Sequence, residues 1–99
     1  MTAEHARVVR VTRFTPSEGR DSELLEHLRR VQEMASEAEG CFGAQTCTSR
    51  EDSGVLVAIS RWESEQALER FIDGPSMKEA MSAASGLFQG QQVEHFVST

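Results

Sequence analysis

The chain contains no tyrosine, a single tryptophan and two prolines among its 99 residues. Without a tyrosine, no mechanism here can run through a tyrosyl hydroxyl. There is also no run of Lys and Arg, and the net charge is −6. Binding nucleic acid requires a basic surface that displaces counterions from phosphate, so nucleic acid is excluded as a partner. No stretch approaches the roughly 18 consecutive apolar residues that span a bilayer, so no membrane partner is expected. The opening residues, Met1 to Arg7, lack the basic-then-apolar order of a secretory signal, and the expected location is cytoplasmic. Cysteine is scarce too. Cys41 and Cys47 fall on one predicted strand, where six residues of extended chain separate them by about 20 Å. A disulfide needs Cα atoms within about 7 Å, so both are read as reduced thiols suited to a reducing compartment.

Several chemistries are missing along with those residues. Gly40-Cys41-Phe42-Gly43 opens a strand rather than a helix, so it is no dinucleotide fingerprint. No phosphate loop and no Gly-x-Ser-x-Gly elbow is present. The two cysteines and three histidines fit no zinc spacing, so neither a metal nor a cofactor is expected.

What is present is a single domain over residues 1–99, its core spanning about 7–98. Residues 7–14 are rich in β-branched side chains and are stopped by Thr15-Pro16, the mark of a strand. Ser17, Asp21 and Ser22 are the available caps for the segment that follows. Over 21–39, Leu24, Leu25, Leu28, Val31, Met34, Ala35 and Ala38 recur at three-four spacing, one face of an amphipathic helix, and Gly40 ends it. Residues 41–50 form a second strand, Glu51 to Gly54 a hairpin loop, and Val55 to Trp62 a third strand. Ser64 caps a second helix along Ala67, Leu68, Phe71 and Ile72. Asp73-Gly74 breaks that helix and Pro75 restarts it. Residues 91–98 are the last strand. The order is βαββαβ, which predicts a ferredoxin-like α+β fold: a four-stranded antiparallel sheet with helices on one face.

The third strand predicts a partner. Val55, Val57 and Ile59 stand on one face, and Leu56, Ala58 and Trp62 on the other. A sheet with one solvated face alternates apolar with polar, and this strand does not. Helices cover one side only. A second copy on the other is the simplest remedy, so a homodimer is expected.

Four stretches carry a family likeness: the start of the first strand, Glu39-Gly40-Cys41-Phe42-Gly43, the run from Ser60-Arg61-Trp62-Glu63 to Ala67-Leu68, and Gly74-Pro75. Together they resemble the antibiotic biosynthesis monooxygenase family of the dimeric α+β-barrel superfamily, over about Val8 to Val97. The resemblance implies a pocket between sheet and helices that takes a small hydrophobic or aromatic molecule. Some relatives are cofactor-free oxygenases of anthrone-type or polyphenolic compounds, and others oxidise quinols. A haem-degrading branch uses an Asn, a Trp and a His. The aligned positions here are Thr12, Phe71 and Ala80, so haem degradation is not expected.

The resemblance makes Trp62 a candidate catalytic residue, its indole N–H holding a substrate carbonyl or a peroxide oxygen. Core filling with a backbone partner is the alternative. His95 shares a strand face with Val93 and Val97 and is the candidate base; a core or interface histidine is the duller account. His27 borders the polar side of the first helix and reads as half-exposed. His5 lies in a terminus expected to fray. Thr12, Phe14, Phe42, Phe71, Met77, Met81 and Phe88 are the expected pocket lining, although such residues are also ordinary core. Arg10, Arg13 and Arg61 lie on strands, where an edge position or a surface ion pair is the simplest account. Two functions follow. One is a cofactor-independent monooxygenase of an electron-rich aromatic. The other is a non-catalytic dimeric protein that holds a hydrophobic metabolite in the same pocket.

Overall fold

The computed structural model describes residues 6–52 and 54–99. His5, and Ser53 of the hairpin loop, lie outside the described residues. The β-branched opening forms β1 (Val8–Pro16), followed by α1 (Asp21–Ser36), β2 (Cys41–Thr48), β3 (Leu56–Trp62), α2 (Glu65–Asp73), α3 (Pro75–Ala83) and β4 (Phe88–Val97). The strands make one antiparallel sheet in the order β2-β3-β1-β4. This is the ferredoxin-like α+β arrangement, its second helical leg broken in two. No helix among the described residues is long and apolar enough to cross a membrane.

Local chemistry sets most boundaries. The Ser64 hydroxyl accepts from the Ala67 N–H at 3.1 Å, and Pro75 occupies the first turn of α3, where its missing N–H leaves nothing unpaired. The start of α1 differs from the expectation. Its N-cap is Arg20, with no side-chain cap, and Asp21 and Glu23 supply negative charge against the helix dipole instead. The helix also stops at Ser36, three residues before its expected end at Glu39. Ala38 N–H turns back to the Ala35 carbonyl, and Gly40 takes a positive φ of 85°. A Cβ at Gly40 would sit 2.6 Å from that of Ala67, so glycine is required there both for conformation and for close approach.

Register decides which residues meet. Val8 pairs with Trp62, Arg10 with Ser60, Thr12 with Ala58 and Phe14 with Leu56, and these side chains face the helices. Ala44 and Thr46 of β2 continue the same rows beside Ser60 and Ala58. The helix-facing side is therefore bulky at both ends and small in the middle. Two core clusters result. Val8, Ala35, Trp62, Ala67 and Leu68 pack at one end. Phe14, Leu24, Leu28, Leu56 and Leu87 pack at the other. The opposite side of the sheet carries Val9, Val11, Val57 and Ile59, all half-buried, and Phe96, which is 48% exposed.

Candidate functional site

Between the two clusters the small residues leave a cavity. Thr12, Ala44, Thr46, Ala58 and Ser60 form its floor on the sheet. The α1 stripe from Leu24 through His27 and Val31 to Ala35 makes one wall, and Phe71 of α2 with Met77 and Met81 of α3 makes another. Phe14 and Phe88 close the end, edge to face at 5.1 Å between centroids. The space open to the centre of a water-sized sphere is about 60 Å³. On the same measure one water needs only about 10–15 Å³, so the cavity is more than a packing defect. Its methionine walls can yield further, since unbranched thioethers repack readily.

Six of the seven residues expected to line a pocket do so: Thr12, Phe14, Phe71, Met77, Met81 and Phe88. Phe42 does not. The β2–β3 register shifts between Cys41 and Gly43, so Phe42 is the extra residue of a bulge and its ring is 45% exposed.

The two candidate catalytic residues also lie elsewhere. Trp62 is fully buried in the first cluster and does not touch the cavity. Phe71 stands against it, ring centroids 5.2 Å apart. The indole N–H donates to Ser60 Oγ at 2.8 Å, so it has no donor left for a guest. That bond leaves the Ser60 hydroxyl hydrogen to point elsewhere, and Ser60 itself lines the cavity. His95 is exposed on the edge strand β4, beside a separate pocket with Val8, Leu68 and Ile72.

The histidine that does line the cavity is His27, only 5% exposed. It lies on the inward stripe because it follows Leu24 by three and precedes Val31 by four, and α3 covers the flank that a lone helix would leave wet. Its Nε2 is buried with no hydrogen-bond partner. Burial, reinforced by the nearby Arg30 charge, holds the imidazole below its ordinary pKa, while the Ala80 backbone opposes the shift. At neutral pH the imidazole is therefore uncharged. Gln32 and Thr46, joined by a 2.8 Å bond from the threonine hydroxyl to Gln32 Oε1, add polar atoms that sequence reasoning passed over.

Arg10 lines the cavity as well, and Arg13 and Arg61 are exposed. Cys41 and Cys47 are free and half-buried. No group of His, Cys, Asp and Glu among the described residues is arranged to hold a metal ion.

A sheet floor and three helices with a mainly apolar cavity between them are the features that the comparisons with known proteins bear on. The chain belongs to the antibiotic biosynthesis monooxygenase family, whose model matches residues 7–83. Similar solved structures include Rv0793 of Mycobacterium tuberculosis, with 21% identity, a TM-score of 0.86, and coverage of 95% of this chain and 96% of that one. PA3566 of Pseudomonas aeruginosa has 18% identity and a TM-score of 0.85, covering 99% of each chain. A mutant of SnoaB, a cofactor-independent oxygenase from Streptomyces nogalater, has 20% identity and a TM-score of 0.83, covering 95% and 94%. At these identities the likeness shows the fold. No curated protein matches the chain.

Proposed function

We propose that this protein is a cofactor-independent monooxygenase that oxidises an electron-rich aromatic of anthrone, phenol or quinol type with dioxygen. The observation that carries the reading is a mainly apolar cavity with a buried histidine, His27, in its wall, whose Nε2 has no hydrogen-bond partner. Family membership and the SnoaB likeness support it.

Such a substrate is its own reductant. For an anthrone, His27 Nε2 accepts a proton from the ring CH₂, and the carbanion is delocalised onto the carbonyl oxygen. Hydroxyls of Thr12 and Ser60 are placed on the cavity floor to donate to that oxygen as its charge grows. One electron passes to dioxygen, the carbon radical and superoxide combine, and the peroxide takes back the proton. Loss of the second ring hydrogen with cleavage of the O–O bond gives the ketone and one water. One oxygen atom ends in the product and one in water. Dry walls keep the anion reactive.

Oxygen uptake with dithranol and with menadiol tests this, using protein freed of metals and flavin. The expected result is one dioxygen consumed per anthrone, with His27→Gln slowing turnover by about 10²–10⁴-fold, the usual contribution of a positioned base. A rate no greater than autoxidation in buffer overturns it. The second reading, a non-catalytic binder, draws on the wall chemistry, because His27 and Arg10 are the only ionisable side chains among the described residues lining the cavity. Saturable binding without oxygen consumption would favour it.

We further propose that the protein is a homodimer, two copies packing sheet on sheet, and that it works in the cytoplasm, where Cys41 and Cys47 stay reduced. Leaving Val9, Val11, Val57, Ile59 and Phe96 in water forfeits about 25 cal/mol per Å² of apolar surface. Arg13 and Arg61 on the same side, with Glu94 of β4, offer both charge signs to a two-fold mate. Sedimentation at micromolar concentration should give twice the chain mass, and Ile59→Glu should give a single chain. A stable wild-type monomer refutes the dimer.

A further inference from the structure

Resting on the reading of the cavity as a ligand site, we infer that its ligand is an aromatic carboxylate: the ring enters the inner cavity and the acid group is held at the mouth by Arg10 with Lys78. The starting point is an arginine in an unusual setting. Arg10 sits on β1, next to the centre of the sheet, and faces the helices. It is half-buried, and no carboxylate among the described residues lies within ion-pair distance of it. The only hydrogen bond of its side chain among the described residues is from Nε to Thr12 Oγ1 at 3.5 Å, the outer limit for such a contact.

The neighbours explain why. Across the ladders Arg10 meets Ser60 on one side and His95 on the other, and along its own strand Val8 and Thr12. A second hollow, lined by Arg10 with Ile72, Met77, Lys78, Met81 and Ser82, adjoins the inner cavity at Arg10, Met77 and Met81. Among the described residues, neither the cavity nor this outer hollow has an acidic lining residue, in a chain with 16 acidic and 10 basic residues. The chain's only lysine, Lys78, stands in the hollow instead. Burial holds the Arg10 guanidinium below its ordinary pKa, so its charge is poorly solvated where it stands.

A desolvated guanidinium with its fork unoccupied is matched by a planar, bidentate anion, and a carboxylate is that shape. The apolar inner walls require the rest of the molecule to be greasy. Met77 and Met81 stand between the two spaces and can shift to let one molecule occupy both.

Titration calorimetry with 2-naphthoate and its neutral isostere 2-naphthamide separates the charge from the ring. Wild-type protein should bind the carboxylate about tenfold or more tighter than the amide, as expected for a charge-assisted pair. Arg10→Gln should bring the two within about twofold, chiefly by weakening the naphthoate, and Lys78→Gln should have a smaller effect in the same direction. Arg10→Met, which keeps the length of the side chain, serves if the glutamine variant is unstable. Equal wild-type affinities, or a preference that survives the loss of Arg10, overturn the inference while leaving the oxygenase proposal standing. Binding of neither compound overturns the cavity as a ligand site and this inference with it. Preferential naphthoate binding by a protein that consumes no oxygen upholds the inference and removes only the oxidation.

Discussion

Ala58→Leu puts the central physical claim, an unfilled middle between two packed ends, under direct test. Ala58 sits on the cavity floor, between Thr12 and Thr46 in adjoining strands. Leucine adds three carbons, which at about 0.8 kcal/mol per buried CH₂ is worth at most about 2.4 kcal/mol. Imperfect fit takes back part of that, so the expected net gain is about 1 kcal/mol. Ala67→Leu makes the same chemical change inside the first cluster, where Ala67 is 1% exposed and lies against Gly40. There is no space there, and overpacking should cost about 1–3 kcal/mol or more. The two substitutions should thus move stability in opposite directions. Urea unfolding followed by the fluorescence of Trp62 resolves this, because with m near 1–3 kcal/mol per M the midpoint shifts by several tenths of a molar for each kcal/mol. Protein concentration must be held constant, since an associating protein gains stability with concentration. Ala58→Leu should also abolish ligand binding and turnover. If it destabilises by as much as Ala67→Leu, the middle of the domain is not open and the functional reading loses its site.

Three further outcomes are expected. Because the folded pKa of His27 lies below the unfolded value near 6.5, the unfolded chain binds the extra proton first. Stability should therefore fall as pH drops through about 6.5 and level off below the folded pKa; His27→Gln should lose this component in pH-dependent urea melts. Gly40→Ala should destabilise by more than about 2 kcal/mol, as both the positive φ and the 2.6 Å approach to Ala67 oppose a side chain; circular dichroism melts give the value. Trp62→Phe should cost about 1–2 kcal/mol through the lost bond to Ser60, with turnover kept within about threefold, and a collapse of activity in a folded variant contradicts the purely structural placement of the indole.

The elements were legible wherever a short-range rule acts alone. The β-branched and apolar runs of β1 and β3, the Ser64 cap and the proline of α3 each depend on residues within one turn or one strand. The cavity was partly legible too: Phe14 and Phe88 were identified with Thr12 and the methionines, and the large-small-large order Leu56, Ala58, Ser60, Trp62 is itself a sign of a hollow. What stayed hidden depends on partners distant in sequence. His27 reads as half-exposed on an isolated helix and is buried only because α3 lies over it. The bond from the Trp62 indole to Ser60 needs the rotamer of a buried ring, which no pattern specifies. The bulge at Phe42 hinges on how Gly43, at φ 155°, enters the ladder. The setting of Arg10 emerges only when β4 and α3 are both in place.

The divided core has a kinetic meaning. Each cluster ties helix to sheet at its own end, through α2 and Ala35 at one and through Leu24 and Leu28 at the other. Only Met77 of α3 is buried, so that helix is tethered lightly across the gap. On the proposed reading of the cavity, exchange of one guest for another is expected to depend on displacement of that single helix while both ends remain shut, rather than on unfolding of the domain.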